Sequence, residues 1–595
     1  MRFVAAIVSF VLAFILIGFG IAQRTVFAEP DRVVAASTTD SDAVLSVLEG
    51  SALNAHDGRQ KVEVSGSERV VAVYGRTGDI EAWVGDASYN RLTVDEETGE
   101  LVSSLVRGSE QEVPDAIGSD LWLGEYAGEA ALDFTLNVPE GVSVLIMSTG
   151  VDPAPSTVSV TWPVDNRTPW SGPLVVGGVI LLLLGIGLYL WAFNHLRKAR
   201  GPRRTPPPNQ PKLPRQPRYS ARKAAKAIKS PDAPKQIESS KGRRSTRRMT
   251  AVLPVVVVSA LVLGGCSADA WPDFSGDAEA SPSASPGTTV ETVSAVKDVA
   301  VTEVQLKRIM KQVADVAGKA DAELNAELLA TRFEGPALEL RTASYTKRAA
   351  DAEQPGQPAI AAEPIALSLP QQTDIWPRYV LVVVQDPADE AVVPTALVLK
   401  QATPRDNYKA QYVVMLQATT FPEVAGASVG AIRYSPDNKL LKLAPEEVAK
   451  GYADIIANGE ASEYADEFDL ASDTFLPQVG PDAKAGRVSA VTGPAALTSE
   501  PVEGTGDRVA LATEDTGAIL VMSFGDRETV APTEAQAEIT VGDAARLLTG
   551  LSTTKKGVFV NYGYQLLFYV PPAGSSEKVR LLGATQGTTS AGELP

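Results

Sequence analysis

Two runs of twenty residues without a charge, Phe3 to Ala22 and Leu174 to Phe193, constrain this chain more than any other feature. Each is long enough as a helix to cross about 30 Å of hydrocarbon, and a soluble core helix seldom runs so far without a charged residue. The second run is followed by Arg197, Lys198, Arg200, Arg203 and Arg204, with Tyr189 and Trp191 near that end, the arrangement of a span that meets the cytoplasmic interface. Residues 1–23 therefore read as a transmembrane helix or signal anchor, with a cleaved signal peptide as the rival because Ala28 offers a cleavage site, and 172–194 reads as a second transmembrane helix. Whatever lies between them is exported, so the expectation is a multi-pass cell-membrane protein with domains on the extracytoplasmic face.

A third apolar run, Thr250 to Gly265, is only sixteen residues, about 24 Å as a helix. Arg243, Arg244, Arg247 and Arg248 precede it and Leu263-Gly264-Gly265-Cys266 ends it. This segment, 249–266, resembles a bacterial lipoprotein export signal, with Cys266 as the lipidated residue and Leu263, Gly264 and Gly265 as its signal motif. The alternative is a third permanent span with a buried thiol. Cys266 is the single cysteine of the 595 residues, so no intrachain disulfide forms.

Charge supports the same topology. Residues 197–248 hold 18 Lys and Arg against Asp232 and Glu238, so this stretch is +16 in a chain whose total is −18. It is rich in proline and cannot bury a core, which points to a cytoplasmic linker lying on anionic lipid headgroups and away from nucleic acid. Pro-x-x-Pro at Pro208 to Pro214 is a weaker motif for a polyproline-recognising partner. An Ala/Ser/Pro tether, 267–295, follows the cysteine.

Residues 30–168 alternate apolar and polar positions with a period of two, as in Leu132, Phe134, Leu136 and Val138, and read as an exported all-β domain, a sandwich or a meander. Asp79, Glu81, Asp86, Asp95, Glu96 and Glu97 lack the spacing of a calcium loop and read as solvated polar faces. Beyond the tether lies an α+β region. One unit, 296–430, starts with helices at Thr302 to Ala317 and Asp321 to Phe333, broken at Gly318. Strands follow at Ile365 to Leu369, Arg378 to Gln385, Pro394 to Gln401 and Tyr408 to Thr420. A second unit, 439–595, starts with a helix from Pro445 to Asn458 and continues with strands at Val509 to Ala512, Ala518 to Phe524, Val558 to Tyr569 and Lys578 to Thr585. The closing strands, Val414 to Thr419 and Arg580 to Thr585, are alike, which suggests a duplication.

Helices followed by long curved antiparallel strands resemble the cone-shaped fold of the NTF2-like (cystatin-like) superfamily over both units. Members include enzymes with an Asp or His in the cone and exported binding or assembly modules. The whole arrangement resembles envelope membrane proteins and lipoproteins of high-GC Gram-positive bacteria.

The chemistry on offer is sparse. His56 and His195 are the two histidines and both lie in the first half, so the second half can build neither a His metal site nor a Ser-His-Asp triad. No nucleotide fingerprint occurs, no cofactor and no metal are expected, and no catalytic residue can be assigned. The acidic run Asp454, Glu460, Glu463, Asp466, Glu467 and Asp469 reads as a solvated face. Tyr562, Tyr564 and Phe568 share one face of a strand and either line a ligand cavity or fill a core. The expectation is a non-enzymatic envelope protein that binds a partner protein or cell-wall glycan, with an enzyme or accessory subunit of envelope glycan assembly as the alternative.

Overall fold

A computed structural model describes residues 2–27, 30–164, 170–199, 291–292, 299–385 and 393–595. The segment from Leu263 to Cys266, nearly all of the basic linker and most of the Ala/Ser/Pro tether lie outside the described residues. The chain forms two compact units, Met1–Val33 with Val164–Pro286, and Val34–Pro163 with Gly287–Pro595.

The first unit is built on two helices, Arg2–Thr25 and Ser171–Ala199, both long and apolar enough to cross a membrane. They pack along their lengths. Gly178 permits the close approach: a Cβ there would stand 2.6 Å from Ile17 Cγ1, whereas Gly177 faces open space. Large apolar side chains such as Phe14, Val4 and Ile180 point outward.

The second unit begins with the β-rich part. Its strands are β1 (Arg32–Thr38), β2 (Leu45–Leu48), β3 (Gln60–Arg76), β4 (Tyr89–Val94), β5 (Leu101–Val106), β6 (Gly124–Asn137), β7 (Val142–Met147) and β8 (Thr157–Pro163). They form one sheet in the order β1-β8-β3-β7-β2-β4-β5 with β6 along the other edge of β3, and β9 (Glu291–Thr292) beside β6. The long β3 joins two wings: Lys61–Ser65 pair with β8, Val71–Arg76 with β7, and a bulge between Ser65 and Arg69 separates the two stretches. The alternation seen in the sequence is what pairs β6 with β3, Phe134 opposite Val62 and Leu136 opposite Gln60, with Phe134 and Leu136 turned into the core. Two features were not legible in that alternation, the parallel pairing of β2 with β4 and the helix Thr77–Val84. Trp83, Trp122 and Trp162 are fully buried, the first two edge to face at 5.6 Å.

The remainder of this unit has four layers, helices, sheet, sheet, helices. The inner sheets are β10 (Ile365–Pro370), β11 (Arg378–Val384), β12 (Thr395–Gln401) and β13 (Lys409–Met415), an antiparallel meander, and β14 (Arg433–Tyr434), β16 (Val509–Ala512), β17 (Ala518–Pro532), β20 (Val558–Val570) and β21 (Arg580–Glu593), with β15 (Ala495–Glu503) on the far half of β17. A two-residue pair, β18 (Ile539–Thr540) with β19 (Thr553–Thr554), stands apart. Strand alternation explains the layering. On β11, Val380, Val382 and Val384 face the helices Glu303–Glu323 and Gly335–Ala350, while Tyr379, Leu381 and Val383 face the other sheet. On β20, Leu566, Phe568 and Val570 face the helix Pro445–Asn458, while Leu567 and Tyr569 meet the first sheet. Strands buried on both faces read as continuous apolar runs, and each such Val, Leu or Ile contributes roughly 1.5–3 kcal/mol.

The helix expected to break at Gly318 runs on to Glu323, capped at its start by Thr302 and Gln305 and ended by Leu324 in the left-handed region. One glycine costs about 1 kcal/mol in a helix, and burial of Ala317 and Ala320 beside it offsets that. The strand expected at Tyr408 to Thr420 stops at Met415, because Leu416 and Gln417 leave the meander to pair with the second sheet: Gln417 N donates to Leu582 O at 2.8 Å. The two stretches that look alike in sequence are thus neighbours in space.

Candidate functional site

A groove of about 280 Å³ lies between the helix Gly335–Ala350, the end of β15 and the interior of β17, β20 and β21. Its floor is bare backbone where Gly525 pairs with Gly563. A Cβ on Gly525 would stand 1.9 Å from Tyr562 O, so no other residue fits there without moving the strand. Polar side chains surround this floor. Asn561 donates to Ser590 Oγ at 2.8 Å and accepts from Arg527 Nε at 2.9 Å, which fixes its amide. Ser523 Oγ accepts from Gly506 N at 3.2 Å, and Gln565 accepts from Val413 N at 2.8 Å, tying the groove to the first sheet. Thr505 stands at the rim and Glu339 and Leu340 form the helix wall. Among the described residues no Lys, Arg or His lines the groove.

Tyr562, Tyr564 and Phe568 do share one face of β20; Phe568 lies away from the groove. Tyr562 and Tyr564 border the groove, yet their rings belong to the aromatic cluster under the helices. Tyr564 packs edge to face on Phe475 and Phe524, and its hydroxyl donates to Asp526 at 2.9 Å. Phe568 is wholly buried, 4.8 Å from Tyr452 and 6.2 Å from Phe468. The residues that do face the groove, Asn561, Gly563 and Gln565, alternate with the tyrosines. A polar and glycine comb between aromatics was the available signal for them.

The acidic run after Asp454 is used locally. Asp454 accepts from Asn458 and Ser462, Asp469 from Ser472, and Glu467 pairs with Lys442 at 3.4 Å. The buried carboxylates of this half are others, each with a partner: Asp473 accepts from Tyr452 at 2.5 Å, Asp526 pairs with Lys484 at 2.7 Å and Glu528 with Arg487 at 2.5 Å. Burial, and then the neighbouring carboxylate, push the Tyr452 and Tyr564 phenols far up, so both remain protonated donors.

A second cluster ties the two sheets together. Asp507 accepts from Tyr379, Gln411 and Lys400, the last at 2.7 Å, and burial, which would raise its carboxyl, is outweighed by these donors so that it lies below the usual range. In the first half, Asp79 departs from the solvated face expected of it: it is 3% exposed and bound by two arginines, Arg76 at 2.7 Å and Arg378 at 2.6 Å. Asp95 conforms, capping its own turn at Glu97 and Thr98. Among the described residues no group of three His, Cys, Asp or Glu side chains could hold a metal ion. His56 stacks edge to face on Trp162 at 5.2 Å.

Residues 297–593 match the model of a family described as a domain of unknown function (DUF8094), just under half of the chain. That match takes in both α+β halves as a single domain, including every residue of the groove. No curated protein and no solved structure matches the chain.

Proposed function

We propose that this chain is a cell-envelope protein that holds a cell-wall saccharide, or the sugar part of one, in the groove beside Gly525 and Gly563. The carrying observation is the lining: amides and hydroxyls held in fixed orientation, an apolar wall at Leu340, carboxylates at Glu339 and Glu503, and no cation among the described residues. Such a surface offers donors and acceptors to a ligand rich in hydroxyls and repels phosphate. The purified full-length protein in detergent, titrated calorimetrically with soluble cell-wall glycan fragments, is expected to bind. Thr505→Trp at the exposed rim is expected to weaken binding at least tenfold without lowering the melting temperature. Equal affinity in this variant, or no binding by the unsubstituted protein, would sink the reading. Turnover of the fragments that is lost in Glu339→Gln or Glu503→Gln would replace it with the enzyme of envelope glycan assembly.

Two helices long and apolar enough to cross a membrane support the following setting. The amino terminus lies inside, 24–170 outside, 197–248 inside and 267–595 outside, with the basic flank of the second helix on the cytoplasmic face. Cys266 carries the lipid and the chain is cut before it, leaving a two-span fragment and a lipoprotein whose α+β domain is of the NTF2-like type. Blots with a tag at each end are expected to show two fragments that merge into one full-length band in Cys266→Ala. A single full-length band without diacylglyceryl in the unsubstituted protein would refute this.

A further inference from the structure

Three arginines of the α+β domain enter three carboxylate sites of the β-rich part, and every one of these pairs runs in the same direction. Arg378, 1% exposed, reaches Asp79 at 2.6 Å while its guanidinium lies 3.7 Å from the Trp376 ring centre. Trp376 in turn packs against the core that holds Trp83 and Trp122. Arg332 pairs with Asp120, whose carboxylate also accepts from Tyr408 N at 2.9 Å. Arg405 grips Glu110 with both ends of its fork, at 2.6 and 2.8 Å, and donates to Trp83 O and Val84 O. Backbone groups are read as well: Gln305 and Arg308 donate to the carbonyls of Leu121 and Trp122 at 2.8 and 2.7 Å.

Domain cores are built from apolar side chains. This junction has Arg and Trp anchors inserted into complementary acidic and carbonyl sites, which is the composition of the energetic centre of a protein–protein interface. The bidentate Arg405–Glu110 pair also fixes the angle of approach of one half to the other. We propose that 34–163 and 299–595 are binding partners in their own right, held together by this interface and not by the peptide that joins them. On the reading that the chain is cut before Cys266, on which the cellular setting of the proposal rests, the two-span fragment is then the membrane receptor of the lipoprotein.

The test cuts the chain in vitro and so does not depend on processing in the cell. A tobacco-etch-virus protease site placed after Ser230 in the full-length protein, purified in detergent and cleaved, is expected to leave both fragments co-eluting at micromolar concentration. Glu110→Arg in the same background is expected to raise the dissociation constant at least tenfold, and Arg405→Glu added to it to recover part of that loss, because this pair is partly exposed and can exchange charges while the donors to Trp83 O and Val84 O are lost. The melting temperature of the uncut variants separates misfolding from dissociation. Separation of the cleaved, otherwise unsubstituted fragments would overturn the proposal, as would equal loss in the single and the exchanged variants when the uncut proteins melt alike. Cleaved fragments that stay together while a tagged chain from cells is never processed would leave the interface standing and refute only its cellular setting.

Discussion

Asp79→Ala is expected to lower the stability of the β-rich and α+β unit by roughly 3–5 kcal/mol, the cost of leaving a buried charge without its partner. The substitution removes the acceptor that Arg76 and Arg378 share. Arg378 is the more exposed to this loss in energetic terms, since among the described residues its Nε and Nη1 have no hydrogen-bond partner and Asp374 O would be its one remaining acceptor. Stacking on Trp376 compensates for part of a missing hydrogen bond, but not for the Coulomb term of a desolvated ion pair. The control is Glu63→Ala, which breaks the exposed Lys61–Glu63 pair and is expected to cost less than about 1 kcal/mol. Denaturant unfolding of the detergent-purified protein measures both. Similar small losses in the two variants would show that Asp79 is not the anchor described. Replacing both partners, Asp79→Leu with Arg378→Met, is expected to recover much of the loss, because two apolar side chains leave no charge behind.

Phe568→Ala is the second large effect, expected at roughly 3–5 kcal/mol. Its ring is fully buried beside Tyr452 and Phe468 on the face of β20 that meets the helices, so truncation opens a cavity that these rigid neighbours cannot fill. The same variant is expected to bind glycan fragments with unchanged affinity at a temperature where it is folded, since Phe568 does not line the groove. Destabilisation under 1 kcal/mol, or an affinity change without it, would return Phe568 to the ligand side. The contrast with Thr505→Trp, a binding loss without a stability loss, separates the groove from the core by experiment.

Local pattern carried much of the architecture. Uncharged runs of twenty residues mark the two long helices because hydrocarbon tolerates no unpaired charge, and period-two alternation marks β6 and its partner β3 because a half-buried strand admits no other pattern. The start of the helix at Pro445 and its end at Gly459 were legible from the same kind of local chemistry, a proline in the first turn and a glycine after the last. Likewise Tyr562, Tyr564 and Phe568 could be placed on one face by counting. Counting does not say which of them is dry: Phe568 fills the core, while Tyr562 and Tyr564 also border the groove.

What tertiary structure alone decided is where separated charges meet. Asp79 and Arg378, 299 positions apart, and Asp120 and Arg332, 212 apart, look in sequence like any surface acid and base. Their burial follows from the docking of the α+β domain on the β-rich part. The layering of two sheets face to face is of the same kind, since Val and Leu on both sides of β11 and β20 announce burial but not what lies above and below. Sequence determined elements whose cause is local, the fit of a side chain to helix, strand, turn or membrane. It left open every relation between elements, because the energy of an ion pair or a sheet face depends on the distance and dielectric that only the folded chain sets.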